Sequence, residues 1–137
     1  MGVAQSSGEL DYYAFNEPAL NGFSADLADE REKASNPYFV KEVIKVAVSP
    51  LSEILNHHLG GKNIDFMSID VEGLDLEVLK SNDWTKYRPK VVLAEVLKSS
   101  LHELDAHPIT AFMKSKSYVL YAKQVNTVFF KDTTIDI

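Results

Sequence analysis

The residues best suited to chemistry in this chain are carboxylates at the ends of apolar runs. Asp70 and Glu72 stand in "SIDVEG", residues 68 to 73, directly after "IDFMSID", and Glu95 stands near the end of "KVVLAEV", residues 90 to 96. In open parallel α/β sheets, ligands bind just beyond the carboxyl ends of the strands. If the two runs are adjacent strands, Asp70 and Glu95 face one crevice. A carboxylate partly withdrawn from water there has a raised pKa unless a partner offsets the desolvation, which suits a general base or a cofactor-orienting group. Spacing leaves other readings open. Asp70 or Glu72 can cap the next helix by accepting its free N–H groups, and Glu72 also reads as a helix-start charge that complements the dipole. Glu95 needs a partner in so apolar a strand, and Arg88 or a ligand are the candidates.

Other polar residues carry weaker signals. His57 and His58 are adjacent, so on a helix they diverge by about 100° and do not chelate one metal. His58 falls on an apolar stripe and reads as a core-edge residue, while His102 and His107 have no ligand-spaced partner. Ser6-Ser7 lacks the Gly-x-Ser-x-Gly frame of a hydrolase nucleophile. Trp84 and Tyr87, before Arg88-Pro89, read as packing under the following strand. No Gly-x-Gly-x-x-Gly occurs, and no cysteine offers a thiolate. No residue set reads as a metal site.

The elements that position these groups follow from patterning. Residues 2 to 15 read as two short extended segments around a Ser-Ser-Gly turn. Residues 16 to 37 are polar and helix-permissive, and contribute little to a core. Ile44, Val46 and Val48 alternate as one strand face; Ser49 then offers an N-cap, Pro50 suits the first helical position, and Gly60-Gly61 supplies a stop. Between them Leu51, Ile54, Leu55, His58 and Leu59 form a helical stripe. "IDFMSID" and "KVVLAEV" are apolar on both faces, as strands covered on both sides are. The segment from Leu74 to Leu79 fits a hairpin by its alternation, but Val71, Leu74 and Val78 share a helical face, and helix is the preferred reading. A short helix follows Pro108, and "SYVLYAKQVNTVFFKD" reads as an antiparallel hairpin. The alternation gives an α/β layered domain, one domain over residues 1 to 137, with a mostly parallel sheet and an antiparallel end.

Composition narrows the function classes. The net charge of −6, without a basic run longer than two residues, argues against a nucleic-acid binder. No stretch has the apolar length of a membrane span, and the N-terminus lacks the form of a signal peptide, so cytoplasmic is the default localisation.

Residues 64 to 96 resemble the FkbM-type methyltransferases. The matching features are Ile69, Asp70, Glu72 and Gly73 at a strand end, then Leu76, Glu77 and Leu79, then Arg88-Pro89 and Glu95. "IKVAVSPLSEIL" and "GVAQSSGELDYYAF" are similar to the segments that precede this core in the family. The resemblance implies a partial class I, Rossmann-like fold and S-adenosylmethionine-dependent O-methylation of a sugar- or polyketide-like hydroxyl acceptor. It gives Asp70 the role of general base or hydroxyl-orienting group, places Glu72 and Glu95 as supporting groups on the same rim, and puts Asp70 and Val71 beside the cofactor.

The family's glycine-rich cofactor loop and second-strand acid lie upstream of the matched region. The chain therefore reads as the C-terminal portion of such a domain, or as a degenerate member, with activity incomplete in these residues. The family's first strand lies beside the strand that ends in Asp70; without it that strand is an exposed edge, open to homo-oligomer formation. Two rival readings follow. "IDVE" is also similar to the strand end of chitinase-like glycosidases, but Ser68 stands where an aspartate is required, and their barrel needs about 250 residues. The second rival is a non-catalytic binding or assembly module.

Overall fold

The computed structural model describes residues 1 to 97 and 100 to 135. Two small sheets carry the chain. In the first, β3 (Val40–Ser49) lies between β1 (Gly2–Val3), parallel to it, and β2 (Gly8–Phe15), antiparallel to it. The two extended segments read from residues 2 to 15 are therefore present, yet they flank β3 instead of pairing with each other. Between β2 and β3 runs α1 (Ala25–Lys33), started by Ser24, whose hydroxyl accepts from the Leu27 N–H at 3.3 Å.

The second sheet has the order β4 (Phe66–Ile69), β5 (Val91–Glu95), β7 (Thr127–Asp132), β6 (Tyr118–Gln124). Here β4 and β5 are parallel, joined through α3 (Asp75–Lys80), while β5–β7 and β7–β6 are antiparallel. The expected mostly parallel sheet is thus corrected to two mixed sheets. A parallel pair needs a crossover segment; β5 and β6 are joined by one and run in the same direction, but β7 lies between them, antiparallel to both, because the short β6–β7 turn forces antiparallel pairing. Helix is confirmed over the alternative hairpin for residues after Leu74, and the C-terminal hairpin is present.

Register explains the core. Val92 pairs with Phe130 and with Met67, and Ala94 pairs with Val128 and Ile69, so these side chains share one sheet face. That face packs on Val78 and Leu79 of α3 and on Ile109 and Met113 of α5 (Pro108–Ser115), the helix expected after Pro108. Each such large side chain contributes about 1.5–3 kcal/mol by leaving water. Trp84 and Tyr87 are buried as expected, and Trp84 closes the end of the core by donating from Nε1 to the Leu79 carbonyl at 2.8 Å.

The opposite face is half-covered at Val91, Leu93 and Phe129 and exposed along β4. Phe66 is 65% exposed on it, so the reading of "IDFMSID" as a strand covered on both sides does not hold. The helix α2 (Leu51–His58) forms where its stripe predicts, but His58 is exposed instead of lying at the core edge. No helix among the described residues is long and apolar enough to cross a membrane.

Candidate functional site

The strand β4 ends at buried Ile69, and Asp70 follows it, exposed, at the exit. The half-buried Val71 side chain packs against the core. The chain then reverses through two successive left-handed residues, Glu72 at φ 51° and Gly73 at φ 90°. Glycine suits the second position for a further reason: a Cβ on Gly73 would lie 2.7 Å from Leu27 Cδ1. Residues 16 to 37 therefore do more than the solvated role read from their polarity. Through Leu27 and Arg31, α1 packs on this turn; Arg31 pairs with Glu72 and also donates to the Leu20 carbonyl at 2.6 Å.

After the turn comes Asp75, the first residue of α3 and only 2% exposed. Its Oδ1 accepts from the Glu95 N–H at 2.9 Å, and its Oδ2 from the Val71 N–H at 3.4 Å. One carboxylate thus ties the exit of β4 to the end of β5. Burial pushes the Asp75 pKa up, aided by the Asp70 charge and opposed by the two N–H groups it accepts from. Sequence reasoning missed Asp75, although a signal was present. Val71, Asp75, Val78 and Leu79 share one helical face, so a carboxylate sits on the side that must be buried.

At the end of β5, Glu95 is half-buried. Desolvation raises its pKa, and the charges of Asp70, Glu72 and Asp75 raise it further, with Arg31 opposing. The predicted adjacency is found, since Asp70 and Glu95 leave neighbouring parallel strands at the same end, close enough to sense each other's charge, but of the two only Glu95 lines the crevice there. Arg88 is not the partner of Glu95. It lies before β5 and pairs with Asp132 at 2.7 Å, and the Glu95 carboxylate has no hydrogen-bond partner among the described residues.

Beside Glu95 opens a crevice of about 320 Å³. The turn and α3 contribute Gly73, Asp75, Leu76 and Glu77; Glu95, Val96 and Leu97 form its strand side, and His107, Pro108 and Ile109 close it. Asp70, Val71 and Glu72 stand on the rim outside this lining. His107 is the second residue that spacing did not reveal, since only the return of the chain at α5 brings it to Glu95. It caps α5, its Nδ1 accepting from the Ile109 N–H at 3.3 Å, and burial pushes its pKa down. Among the described residues no group of three or more His, Asp or Glu is arranged to hold a metal ion. The arrangement offers carboxylate acceptors with a raised proton affinity, beside a small crevice with apolar walls.

A family model described as the methyltransferase FkbM domain matches residues 1–120. No curated protein and no solved structure matches the chain.

Proposed function

The chain belongs to the FkbM methyltransferase domain family, and on that premise we propose that its strand-end rim serves methyl transfer from S-adenosylmethionine to a hydroxyl of a small sugar- or polyketide-like acceptor. The observation that carries the proposal is the meeting of "SIDVEG" and Glu95 at one end of two neighbouring parallel strands, held there by buried Asp75. The rim suits the cofactor by charge. Its sulfonium and ammonium are cationic, and Asp70, Glu72 and Glu95 outnumber Arg31, the cation paired with Glu72.

In this reading Asp70 and Val71 would hold the cofactor, which when bound would supply the methyl group. Asp70, exposed at the strand exit, accepts the hydrogen of the acceptor hydroxyl and orients its oxygen. Such a transfer depends mainly on holding the reacting atoms in line, and proton removal assists it. The hydroxyl proton passes to Asp70 as the oxygen is methylated, Glu95 supports the same rim from the end of β5, and Glu72 keeps Arg31 against the turn so that the loop holds its shape.

Calorimetric titration with S-adenosylhomocysteine tests the reading. Saturable heat, weakened about ten-fold or more in Asp70→Ala, is the expected result. A folded sample that gives no heat overturns it and favours the second reading, a non-catalytic assembly module. The unpaired edge of β4 is the observation behind that alternative.

A further inference from the structure

We infer that the end of the second sheet away from the strand-end rim carries a second binding site, one for a phosphate-type oxyanion. It is a cavity of about 150 Å³ between the link from α2 to β4 and the link from α3 to β5. The site precedes the two strands whose far ends form the rim, and it stands independently of the methyltransferase reading.

The lining is rich in donors and poor in acceptors. Lys62, Lys86 and Arg88 contribute to it and no carboxylate does, in a chain whose net charge is −6. Asp132 answers the Arg88 guanidinium, whereas neither Lys62 nor Lys86 has an ion-pair partner among the described residues. The acids nearby are engaged elsewhere. Asp65, beside Ile64, pairs with Lys90 at 2.6 Å. Asp83 senses the Lys86 charge, yet its Oδ1 accepts from the Thr85 hydroxyl and N–H at 2.6 and 3.0 Å, and it stands outside the lining. The backbone adds to the surplus. The carbonyls of Leu59, Ile64 and Tyr87 are already taken, by the Lys62 N–H at 3.2 Å, the Lys90 N–H at 3.0 Å and the Asn82 side-chain amide at 2.9 Å. The N–H groups of Asn63, Ile64 and Arg88, three of the lining residues, find no partner among the described residues. Such a set suits a ligand that carries negative charge and only accepts.

Lys86 is held in advance. Its Nζ donates to Asn56 Oδ1 at 2.8 Å and lies 5.0 Å from the centre of the Tyr87 ring, whose hydroxyl donates to the same Asn56 oxygen at 3.1 Å. The ammonium keeps two further protons to donate, and less side-chain freedom is lost when a ligand takes them. Charge-assisted bonds of this kind are the strong ones. Because the donors come from two separate links, the ligand must offer oxygens in more than one direction. A tetrahedral oxyanion does so, whereas the two oxygens of a carboxylate lie in one plane. The net negative charge of the chain opposes any anion at long range. At about 0.15 M salt that field is screened beyond about 8 Å, and the local donors decide.

Three probes test the site: inorganic phosphate, glycerol phosphate and acetate. Each is titrated into the whole chain at fixed ionic strength while the amide resonances of Asn63, Ile64 and Arg88 are followed by ¹H–¹⁵N NMR. At least one of the two phosphates is expected to move these resonances saturably, with acetate about ten-fold weaker or without effect. Tighter binding of inorganic phosphate identifies the free ion as the ligand, and tighter binding of glycerol phosphate identifies a phosphate carried on a larger molecule; both uphold the site. Lys62→Gln and Lys86→Gln each remove an exposed cation, so the fold and its thermal midpoint should persist while phosphate binding weakens about three- to ten-fold. Lys41→Gln removes the same charge from β3 in the first sheet and should leave binding unchanged. Equal weakening in all three variants overturns the proposal, since net charge alone then governs the affinity. So does unchanged binding in both Lys62→Gln and Lys86→Gln, acetate as tight as phosphate, or the absence of a saturable shift in a folded sample. No probe contains the cofactor, so a failure here leaves the S-adenosylhomocysteine result standing, and the converse also holds.

Discussion

Arg88 ties three parts of the chain together through one guanidinium. Its Nε and Nη2 hold the two oxygens of Asp132 at 3.0 and 2.7 Å, while Nη1 and Nη2 also donate to the Trp84 and Lys116 carbonyls. Asp132 is 1% exposed and has Thr134 as a further donor. Burial pushes its carboxyl pKa up, but the Arg88 and Thr134 hydrogen bonds win, and the pKa lies below the usual carboxylate value. A carboxylate depressed in the folded state stabilises the fold above its unfolded pKa, and that contribution is lost as pH falls through the folded value. Arg88→Ala strands a buried charge and should cost about 3–5 kcal/mol at neutral pH. Urea unfolding at pH 7 and near pH 3 checks this: the deficit should shrink at the lower pH as Asp132 takes a proton, and an equal deficit at both would refute it. The sequence made Arg88 visible but suggested the wrong partner. Seven residues of mostly extended chain separate it from Glu95, a span of about 20 Å, so the two sit at opposite ends of β5. Asp132 reaches Arg88 only through the antiparallel return of β7, and that pairing has no signature in local spacing. His107 was hidden for a related reason, since it needs a second element to give it meaning, whereas Asp75 was overlooked on a helical face that must be buried.

At the scale of elements, α2 begins on a cap borrowed from α3. The stripe and the flanking Pro50 and Gly60-Gly61 located this helix, yet Ser49 is not its cap. Ser49 is the last residue of β3, paired with Val3, and Pro50 occupies the cap position with no side-chain hydrogen bond. Ser81, the residue that ends α3, takes over. Its hydroxyl accepts from the Leu51 N–H at 3.0 Å and donates to the Val78 carbonyl, while its own carbonyl accepts from the Ser52 N–H at 3.2 Å. Ser81→Ala should therefore cost about 1 kcal/mol. Hydrogen exchange should quicken at Leu51 while Ser52, bonded to the backbone, keeps its protection; equal loss at both would show that the hydroxyl is not the cap. Helices α2, α3 and α5 were legible because each carries an apolar stripe against a punctuated start or stop. The short helix α4 (Leu101–Leu104) was legible too, through the Ser100–Glu103 capping box, and was overlooked for want of a long stripe. The division into two sheets was not legible, since an alternating strand such as β3 does not announce its neighbours.

Over the whole molecule, one sheet edge is protected and the other is bare. The outer strand β6 has an irregular register between Leu120 and Ala122 and carries Lys123, two devices that discourage strand addition. On the other side β4 pairs only with β5 among the described residues, and Phe66 stands exposed. We propose that a second copy of the chain pairs along this edge, extending the four-stranded sheet across both molecules. Charge opposes the pairing. The net charge is −6, and an antiparallel match of two β4 strands brings Asp65 of one copy toward the Asp70 end of the other. Asp65 is partly neutralised by Lys90 at 2.6 Å, whereas Asp70 has no ion-pair partner among the described residues. Added salt shortens the reach of that repulsion and leaves hydrogen bonding and apolar contact in place. Sedimentation should accordingly show a dimer that grows with protein concentration and is favoured on raising the salt from about 0.01 to 0.15 M. Phe66→Lys removes the apolar contact and adds an edge charge, and it should leave a monomer with unchanged stability. Dimer that persists in Phe66→Lys would place the contact elsewhere, and dimer that dissolves as salt is added would mean that ion pairs hold it in place of a shared sheet.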